Sequence, residues 1–590
     1  MFARKRALDR LAREKTLYQR HPGGEVSVCV VYPNVYPVAM ANLGFQAVFH
    51  IFDSNPSVDA ERGFLPDPDE RPAIASGAAR ILSFERGRPL SDFDILAFSI
   101  PFETDYLNLL AILRSAGIPP RRADRAGRNF PLVIAGGSAI FLNPEPIADF
   151  VDLFLIGEGE QMVPEFIERF LASRGNPARL DDLAIVEGAY RPDYYHPAYD
   201  ERGRLAAVSY SGPGSSAVQR RLVKDLNQFT TASLILTEES VFGDMYLVEA
   251  SRGCQWGCRF CAAGFMYRPI RYRSPAMLTA EAARGLAERN VIGLVGAEMA
   301  SVPGVAEIAQ SVADAGGRLS PSSLKADCIS PKLASALSQA GNRSVTIAPE
   351  AGSERMRKVI NKNLSEAEIL DAAAMMMGEG VENLKLYFML GLPEEQDHDV
   401  LGIAHLAGKI LEQARARRQH IGRVTVSLNP FVPKPWTPFQ WDPMEEPRAT
   451  KRKIALLRSA LGKLGAEKFG TIELDSESPR EAYFQTLVSR GDRRVGAILE
   501  RLDAAGCDAP GPIWRELAEI RRESDDGGWT ASPNPDFYVT RHFADDEILP
   551  WDFIDHHIHK WFLLSERKKA HFEHQTPPCD VTRCDVCGAC

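Results

Sequence analysis

Apolar strand-like runs alternate with helix-length segments between residues 25 and 200. The runs are VSVCVVY (26–32), DILAFSI (94–100), PLVIAGG (131–137) and VDLFLIG (151–157), and helical patterns such as VAMANLGFQAVFHIF (38–52) separate them. Continuously apolar strands joined by helices indicate a parallel sheet covered on both faces. The pattern predicts a doubly wound α/β domain of the Rossmann or flavodoxin-like type, with its ligand at the carboxyl ends of the strands.

Small or polar residues stand at those strand ends, where a ligand would bind. They are Ser99, Gly136, Gly137 and Gly157. Each also has an ordinary explanation as a turn or packing residue. No GxGxxG or P-loop motif occurs among them, so the sequence does not support a nicotinamide or nucleoside triphosphate site.

A second repeating pattern follows a polar, breaker-rich stretch at 201–240, which we interpret as a linker. Strand-like runs then recur between residues 241 and 445, at MYLVEAS (245–251), VIGLVG (291–296), LSPSSLKA (319–326), SVTIAP (344–349), NLKLYFML (383–390) and RVTVSL (423–428). Helical segments separate them. Six βα units fall short of the eight that close a barrel, so the pattern predicts a partial (βα)6 barrel with its active residues at the strand ends.

The two ends of the chain differ from these repeats. Residues 446–578 predict a mainly helical C-terminal domain, followed by a cysteine tail at 579–590. Residues 1–24 form a basic arm with a helical pattern. Such an arm either binds RNA or another polyanion, or is a solvated helix, and we favour the helix.

Composition narrows the class of protein. The chain has 590 residues and a formal net charge of −9, which does not favour nucleic-acid binding. The sequence contains no membrane-length apolar run and no signal-peptide pattern, so we expect a cytoplasmic protein without membrane partners. Seven of its ten cysteines fall in two tight groups. That clustering indicates metal ligation rather than a disulfide framework.

The first cysteine group carries the clearest chemistry. Cys254, Cys258 and Cys261 follow the spacing CxxxCxxC within VEASRGCQWGCRFCAAG (248–264). Three thiolates on one loop hold three irons of a 4Fe-4S cluster, which leaves the fourth iron open to a substrate. The alternatives are a zinc site, which usually has four ligands, and three ordinary core cysteines.

The second group lies in the tail, with the spacing CxxxxCxxCxxC. Its members are Cys579, Cys584, Cys587 and Cys590. Four closely spaced thiolates suit a second iron–sulfur cluster or a tetrahedral zinc ion. Free thiols are the remaining alternative. We favour the cluster because the spacing is closer to ferredoxin-like runs than to paired zinc knuckles.

The CxxxCxxC loop after the first strand of a parallel barrel resembles the radical S-adenosylmethionine (radical SAM) superfamily. The resemblance implies that Cys254, Cys258 and Cys261 are catalytic cluster ligands and that S-adenosylmethionine binds the open iron. It places Phe260 near the adenine. Further cofactor-binding candidates lie in segments similar to later strand motifs: Glu298 in GAE, Lys325 and Asp327 in PSSLKADCIS, Glu350 in APEAGSERMRKVINK, and Gly391 in FMLGLPEE.

The wider sequence is similar to an uncharacterised branch with a cobalamin-binding-like N-terminal domain and a C-terminal cysteine-rich tail. YPNVYPVAMANLG (32–44), FVPKPWTPFQW (431–441) and the tail carry this resemblance. It implies cobalamin near Ser99, Gly136, Gly137 and Gly157. The loop after the first strand lacks the cobalt-ligating histidine of the DxHxxG motif, so cobalamin would bind without a protein ligand to cobalt. The alternative is a substrate-binding or docking domain.

These features predict an enzyme that reductively cleaves S-adenosylmethionine to a 5′-deoxyadenosyl radical. With cobalamin, we expect methylation of an unactivated carbon. Without it, the alternatives are a radical rearrangement or cyclisation, or a methylthiotransferase-like RNA modification. A non-enzymatic iron–sulfur and corrinoid sensor or assembly protein is a further alternative. The expected partners are a small-molecule or RNA substrate and a one-electron donor such as flavodoxin or ferredoxin.

Overall fold

The computed structural model describes residues 2–176, 178–419, 421–464, 471–524 and 534–590. Its N-terminal part is built on a six-stranded sheet. In chain order the strands are Val26–Tyr32, Val58–Phe64, Ile95–Ser99, Leu132–Gly136, Leu153–Leu155 and Ala189–Tyr190. The spatial order is second, first, third, fourth, fifth, sixth, and only the last strand is antiparallel. This is the flavodoxin-like order, whose switch point lies between the first and third strands.

Helices cover both faces of this sheet, as the predicted doubly wound fold requires. Leu43–Asp53 packs against Gly159–Ala172 on one face, and Tyr106–Ser115 lies on the other. Asn42 caps the first of these helices by accepting a hydrogen bond from the Phe45 amide. The shorter helices are Tyr36–Met40, Arg71–Ala75, Arg122–Arg125, Ser138–Leu142 and Arg179–Leu183.

Within the described ranges, the second part contains seven parallel strands in two sheets. Met245–Glu249, Val291–Val295 and Arg318–Pro321 form the first sheet, and Ser344–Glu350, Asn383–Leu390, Arg423–Pro430 and Thr471–Ser476 form the second. A parallel bridge between Leu324 and Ile347 joins the sheets. The barrel is open, as predicted, but it has a seventh strand, Thr471–Ser476, in a stretch that the sequence pattern assigned to the helical region.

The helices of this core run between the strands. They are Pro275–Leu286, Val305–Asp314, Pro331–Gln339, Glu354–Val359, Glu366–Gly378 and Asp397–Ala416, with a short Ala263–Met266 after the cysteine loop. A serine caps the helices that begin at Pro275, Pro331, Glu354 and Glu366. Ser365 and Glu368 form a capping box at Glu366–Gly378. Apolar residues of these helices and strands form one continuous core.

Residues 201–240 and the N-terminal arm pair with distant strands. Tyr195–Tyr199 and Leu205–Tyr210 form an antiparallel hairpin, Val218–Gln219 pairs with Ile554–Asp555, and Ile235–Leu236 pairs with Lys15–Thr16. The arm begins with the helix Phe2–Leu11. These pairings connect the N-terminal sheet, the core and the C-terminal region.

The C-terminal region supplies the helices Pro447–Leu464, Pro479–Arg490, Val495–Ala504, Pro510–Ser524, Asp536–Val539 and Lys560–His571. Val495–Ala504 packs against Tyr106–Ser115 of the N-terminal domain, and both contribute to one apolar core. No helix within the described ranges is long and apolar enough to cross a membrane.

Candidate active site

The triad loop, which we define as residues 253–264, follows the first core strand. A short antiparallel pairing of Ser251–Arg252 with Arg271–Tyr272 closes its base. Gly253 has a φ of +85°, and a Cβ there would lie 2.7 Å from the Tyr267 carbonyl oxygen. Glycine is therefore required where the loop turns. The Cys261 amide donates to the Cys258 carbonyl at 3.0 Å, which winds the loop tightly between two of its three thiols.

The three thiols of the loop lie close to one another, with Cys258 buried and Cys254 and Cys261 half-buried. Burial raises the pKa of each, and for Cys254 the neighbouring thiols of Cys258 and Cys261 raise it further. The pKa of Cys258 is about 11. No three potential ligands in the described part of the chain surround a single ion. A four-iron cluster binds each thiolate at a different iron, so the spacing, burial and mutual proximity of these thiols fit such a cluster.

A cation offsets the negative charge that the thiolates would carry. Lys362 is buried, and its Nζ donates to the Glu350 Oε1 at 3.3 Å. Burial alone would lower the pKa of Lys362, but Glu350 and the thiols of Cys258 and Cys261 raise it above its ordinary value. Glu350 ends its strand with a φ of +67° at a register shift, and its carboxylate is close enough to Cys258 and Cys261 to raise the pKa of both thiols.

Arg259 anchors the loop from beneath. This side chain is fully buried, and its guanidinium donates to the carbonyls of Lys358 and Val359 at 3.1 and 2.8 Å. It also donates to the His574 carbonyl at 2.7 Å and forms an ion pair with Glu566 at 3.2 Å. Burial lowers the pKa of Arg259 although Glu566 opposes that effect. The residue between two ligand cysteines thus fixes the loop to the core and to the C-terminal region.

Glu298 and Lys325 lie beside the loop at the ends of the second and third core strands. The Glu298 carboxylate accepts hydrogen bonds from the amides of Ala300 and Ser301 at 2.6 and 3.0 Å, so it is held in place by its own turn. It is close enough to Cys254 to raise the pKa of that thiol. The carboxylate therefore borders the cluster position.

Lys325 connects the third strand to the triad loop. Its buried Nζ lies 3.9 Å from the centre of the Trp256 ring, donates to the Asn363 carbonyl at 3.1 Å and pairs with Asp327. A cation over the face of a tryptophan is an attractive contact. The structure thus brings Glu298, Lys325 and Glu350 close to the three cysteines, and Asp327 is linked to them through its ion pair with Lys325.

Phe260 and Gly391 have different surroundings. Phe260 is half-buried and packs against a small apolar core beneath the loop, which includes Ile360 and Phe431. Gly391 has a φ of +80°, and its amide donates to the Glu395 carboxylate at 2.8 Å. Gly391 thus forms a turn after the fifth core strand, and its contacts with Glu395 and Glu445 stabilise that turn.

A cavity of about 580 Å3 lies between the N-terminal sheet and the open barrel of the second part. Ser99, Gly136, Gly137 and Gly157 line it together from the N-terminal side. The opposite wall contains residues at the ends of the core strands and in the triad loop, namely Ser251, Gly253, Ala263, Ala297 and Ser322. The ends of both parallel sheets therefore meet at one space.

Two of the lining glycines are fixed by the backbone. A Cβ on Gly137 would lie 2.5 Å from the Ile100 carbonyl oxygen, and one on Gly157 would lie 2.5 Å from the Arg221 amide nitrogen. Both have positive φ angles, +113° and +137°. They keep the strand ends close-packed, so the cavity wall at these points is bare backbone.

Paired charges form one side of the cavity. Glu158 binds Arg271 at 2.7 and 2.8 Å and Arg252 at 3.2 Å, and Arg252 also pairs with Glu160. These ions compensate one another. The rest of the cavity wall consists mostly of apolar side chains and glycines. The buried Ser251 Oγ in the wall has no hydrogen-bond partner among the described residues. It is a free polar group for a ligand.

The sequence pattern did not identify Arg259, Lys362 or Trp256 as members of this site. Arg259 and Trp256 are charged or aromatic residues inside the cysteine motif, and Lys362 ends a segment recognised only by similarity. Their partners, such as Glu566 and Glu350, are distant in sequence. The signal that the sequence offered for Arg259 was an arginine placed between two ligand cysteines.

Comparisons with known proteins agree with this arrangement. Residues 44–192 match the family of radical SAM protein N-terminal domains, and residues 248–407 match the radical SAM superfamily. An uncharacterized protein of Methanocaldococcus jannaschii is 27% identical over 478 residues, which cover 80% of this chain and 90% of the relative.

Two solved structures are similar at low sequence identity. The radical S-adenosylmethionine methyltransferase TsrM from Kitasatospora setae is 13% identical, with a TM-score of 0.46 over 68% of this chain and 72% of that one. The cobalamin-dependent S-adenosylmethionine radical enzyme OxsB is 13% identical, with a TM-score of 0.44 over 92% of this chain and 79% of that one. The two family models match just over half of the 590 residues, and one of them includes all three triad cysteines. The chain belongs to the radical SAM superfamily.

Proposed function

We propose that this radical SAM enzyme methylates an unactivated carbon of a small molecule with the help of a corrinoid. The observation that carries the proposal is the shared cavity, because the strand ends of the N-terminal domain and the triad loop line the same space. A methyl donor held by one domain and a radical formed at the other need such a common space to act on one substrate.

The residues of the core fit a cluster and its S-adenosylmethionine. Cys254, Cys258 and Cys261 would hold three irons, and Lys362 would offset their charge. When bound, the cluster supplies the one electron that divides S-adenosylmethionine into methionine and a 5′-deoxyadenosyl radical. Glu298 and Lys325 border the open side and would hold the amino and carboxylate groups of the methionine.

The N-terminal side of the cavity suits a corrinoid. The bare backbone at Gly137 and Gly157 and the mostly apolar wall allow a flat ring to approach closely. The lining contains no histidine. Cobalt would accordingly bind without a protein ligand.

A small molecule suits the charge distribution better than RNA does. The basic residues of the N-terminal arm are occupied within the protein: Arg6 binds Asp67 and Asp69, and Arg10 binds Glu239. Neutralised arginines attract a polyanion weakly. We therefore propose a small-molecule substrate and a one-electron donor of the flavodoxin or ferredoxin class.

The test is anaerobic reconstitution with iron, sulfide and hydroxocobalamin, followed by cobalt counting and by assay of 5′-deoxyadenosine after dithionite reduction. Ala47→Trp, which fills the cavity, is expected to lose cobalt and keep iron. Ala280→Trp on an exposed helix position is the matched control. The triple variant Cys254→Ala, Cys258→Ala, Cys261→Ala should form no 5′-deoxyadenosine.

The possible failures point to different functions. Cleavage of S-adenosylmethionine by a protein that binds no cobalt would overturn the corrinoid proposal and favour rearrangement or cyclisation. No 5′-deoxyadenosine from the fully loaded, reduced wild type would overturn the enzyme and favour a sensor.

A further inference from the structure

The four cysteines of the C-terminal tail come together in the structure. Burial raises the pKa of Cys579, and the thiols of Cys590, Cys587 and Cys584 raise it further. Cys587 is buried, and its carbonyl accepts a hydrogen bond from the His559 amide at 2.9 Å. The tail thus folds back on the protein, with the Cys579 and Cys590 side chains in hydrogen-bond contact.

Hydrogen bonds tie this tail to the triad loop. The Cys579 amide donates to the Gln255 carbonyl at 2.8 Å, and Gln255 is the neighbour of Cys254. Asn361 bridges the same two segments, since its Nδ2 donates to the Gly257 carbonyl at 3.1 Å and its Oδ1 accepts from the Thr576 amide at 2.7 Å. The two cysteine groups, more than 300 residues apart in sequence, are therefore adjacent in space.

Arg268 lies between the two groups. Its buried side chain donates to the Gly264 carbonyl at 2.7 Å, and its Nη2 lies 3.5 Å from where a Cβ of Gly257 would stand. On the other side it acts on the tail, where it opposes the rise in the pKa of Cys579 and Cys590 that burial causes. One guanidinium thus binds the backbone of the triad loop and acts on the thiols of the tail.

We propose that Cys579, Cys584, Cys587 and Cys590 hold a second iron–sulfur cluster that passes electrons to the cluster of the triad. A reduced flavodoxin or ferredoxin loses one electron to the tail cluster, which returns to its oxidised state when it reduces the triad cluster. No atom or proton is transferred. Cys590 is exposed whereas Cys258 is buried, so the electron enters at the solvent side and moves inward.

Arg268 is a positioning residue in this relay. Its positive charge stabilises the reduced, more negative state of either cluster. It also binds the loop on which the triad cluster is held. The inference rests on the proposed binding of a cluster by the triad and is independent of the corrinoid.

The first experiment counts metal in the reconstituted full-length protein. Cys584→Ser with Cys590→Ser is expected to lose half of the iron, and the triad triple variant should lose the other half. Cys507→Ser, a buried cysteine outside both groups, is the control and should lose none. Zinc in the tail, or no loss of iron from the tail variant, would overturn the proposal.

Electron paramagnetic resonance tests the adjacency. In the dithionite-reduced wild type, the two paramagnetic clusters should broaden each other's signals, and either set of cysteine substitutions should leave one simple spectrum. Arg268→Gln should keep its iron but shift both midpoint potentials to more negative values, and Arg268→Lys should restore them. Unchanged potentials in Arg268→Gln would exclude this role for the residue.

The relay itself is tested with two reductants. In the tail variant, the ratio of flavodoxin-driven to dithionite-driven cleavage of S-adenosylmethionine is expected to fall at least tenfold. An unchanged ratio would refute the relay. Loss of cleavage with both reductants in the wild type would instead refute the proposed function, so the two failures are distinguishable.

Discussion

The ion pair between Arg259 and Glu566 is expected to determine whether the triad loop holds its cluster. Arg259 is fully buried and Glu566 is 2% exposed, and their closest atoms are 3.2 Å apart. An exposed pair would contribute only about 0–1 kcal/mol. Removing one partner of a buried pair costs about 3–5 kcal/mol, because the other charge is left without compensation.

Glu566→Ala removes that compensation while leaving every cysteine in place. Glu566 also accepts from Thr576 at 2.8 Å and from Lys569 at 2.7 Å, so the change loosens the approach to the tail as well. A cost of about 3–5 kcal/mol weakens docking of the loop by roughly 100- to 4,000-fold. In a core of this size, the same cost lowers the unfolding midpoint by on the order of 10 °C.

The assay combines thermal unfolding of the metal-free protein with iron retained after reconstitution and desalting. Glu566→Gln keeps the shape of the side chain and removes its charge. Its unfolding midpoint and its retained iron should therefore lie between those of the wild type and those of Glu566→Ala. Glu519→Gln breaks an exposed ion pair with Arg522, which contributes at most about 1 kcal/mol. The unfolding midpoint of this control should therefore change little. If Glu566→Ala retained iron and melted like Glu519→Gln, the anchoring role of Arg259 would be refuted.

Two further substitutions test the N-terminal domain. Burial raises the pKa of Asp105 to about 7, above its unfolded value near 3.9. The stability that the protonated carboxyl confers is therefore complete below about pH 4 and is lost as the pH rises through 7. Asp105→Asn should therefore melt above the wild type at pH 8, with a gap that narrows toward pH 4; a gap independent of pH would contradict this. Gly157→Ala places a Cβ against the Arg221 backbone at a positive φ and should cost about 1–3 kcal/mol with loss of cobalt. Gly462→Ala, whose Cβ would meet nothing within 4 Å and which lies outside the cavity, should lower neither the melting midpoint nor the cobalt content.

Apolar patterning predicted most of the N-terminal sheet but not the strand Val58–Phe64. That strand carries Glu61 and Arg62, whose charges interrupt any apolar run in the sequence. Both side chains are nevertheless buried, at about 1% exposure. Arg62 is compensated by Glu14 and Glu85 at 2.6 and 2.7 Å. These partners are distant in sequence, so local hydropathy cannot distinguish such a strand from a polar loop.

The cysteine spacing indicated the triad because its ligands are local in sequence. The contact of the tail with the triad loop depends on pairings such as Cys579 with Gln255, which no local pattern encodes. The same holds for the cavity, which forms only when the strand ends of two sheets face each other. Glycines at strand ends predicted one of its walls, and the opposite wall required the three-dimensional arrangement.

The bridge between Leu324 and Ile347 gives the open barrel a seam. Elsewhere in the two barrel sheets, neighbouring strands share ladders of four or more residue pairs, as between Asn383–Leu390 and Arg423–Pro430. Local opening is cheapest where the fewest backbone hydrogen bonds must break. Lys325 is adjacent to the seam on one side, and Glu350 ends the strand on the other. Widening there changes the separation of these two charges, so the width of the mouth and the electrostatic field at the cluster vary together.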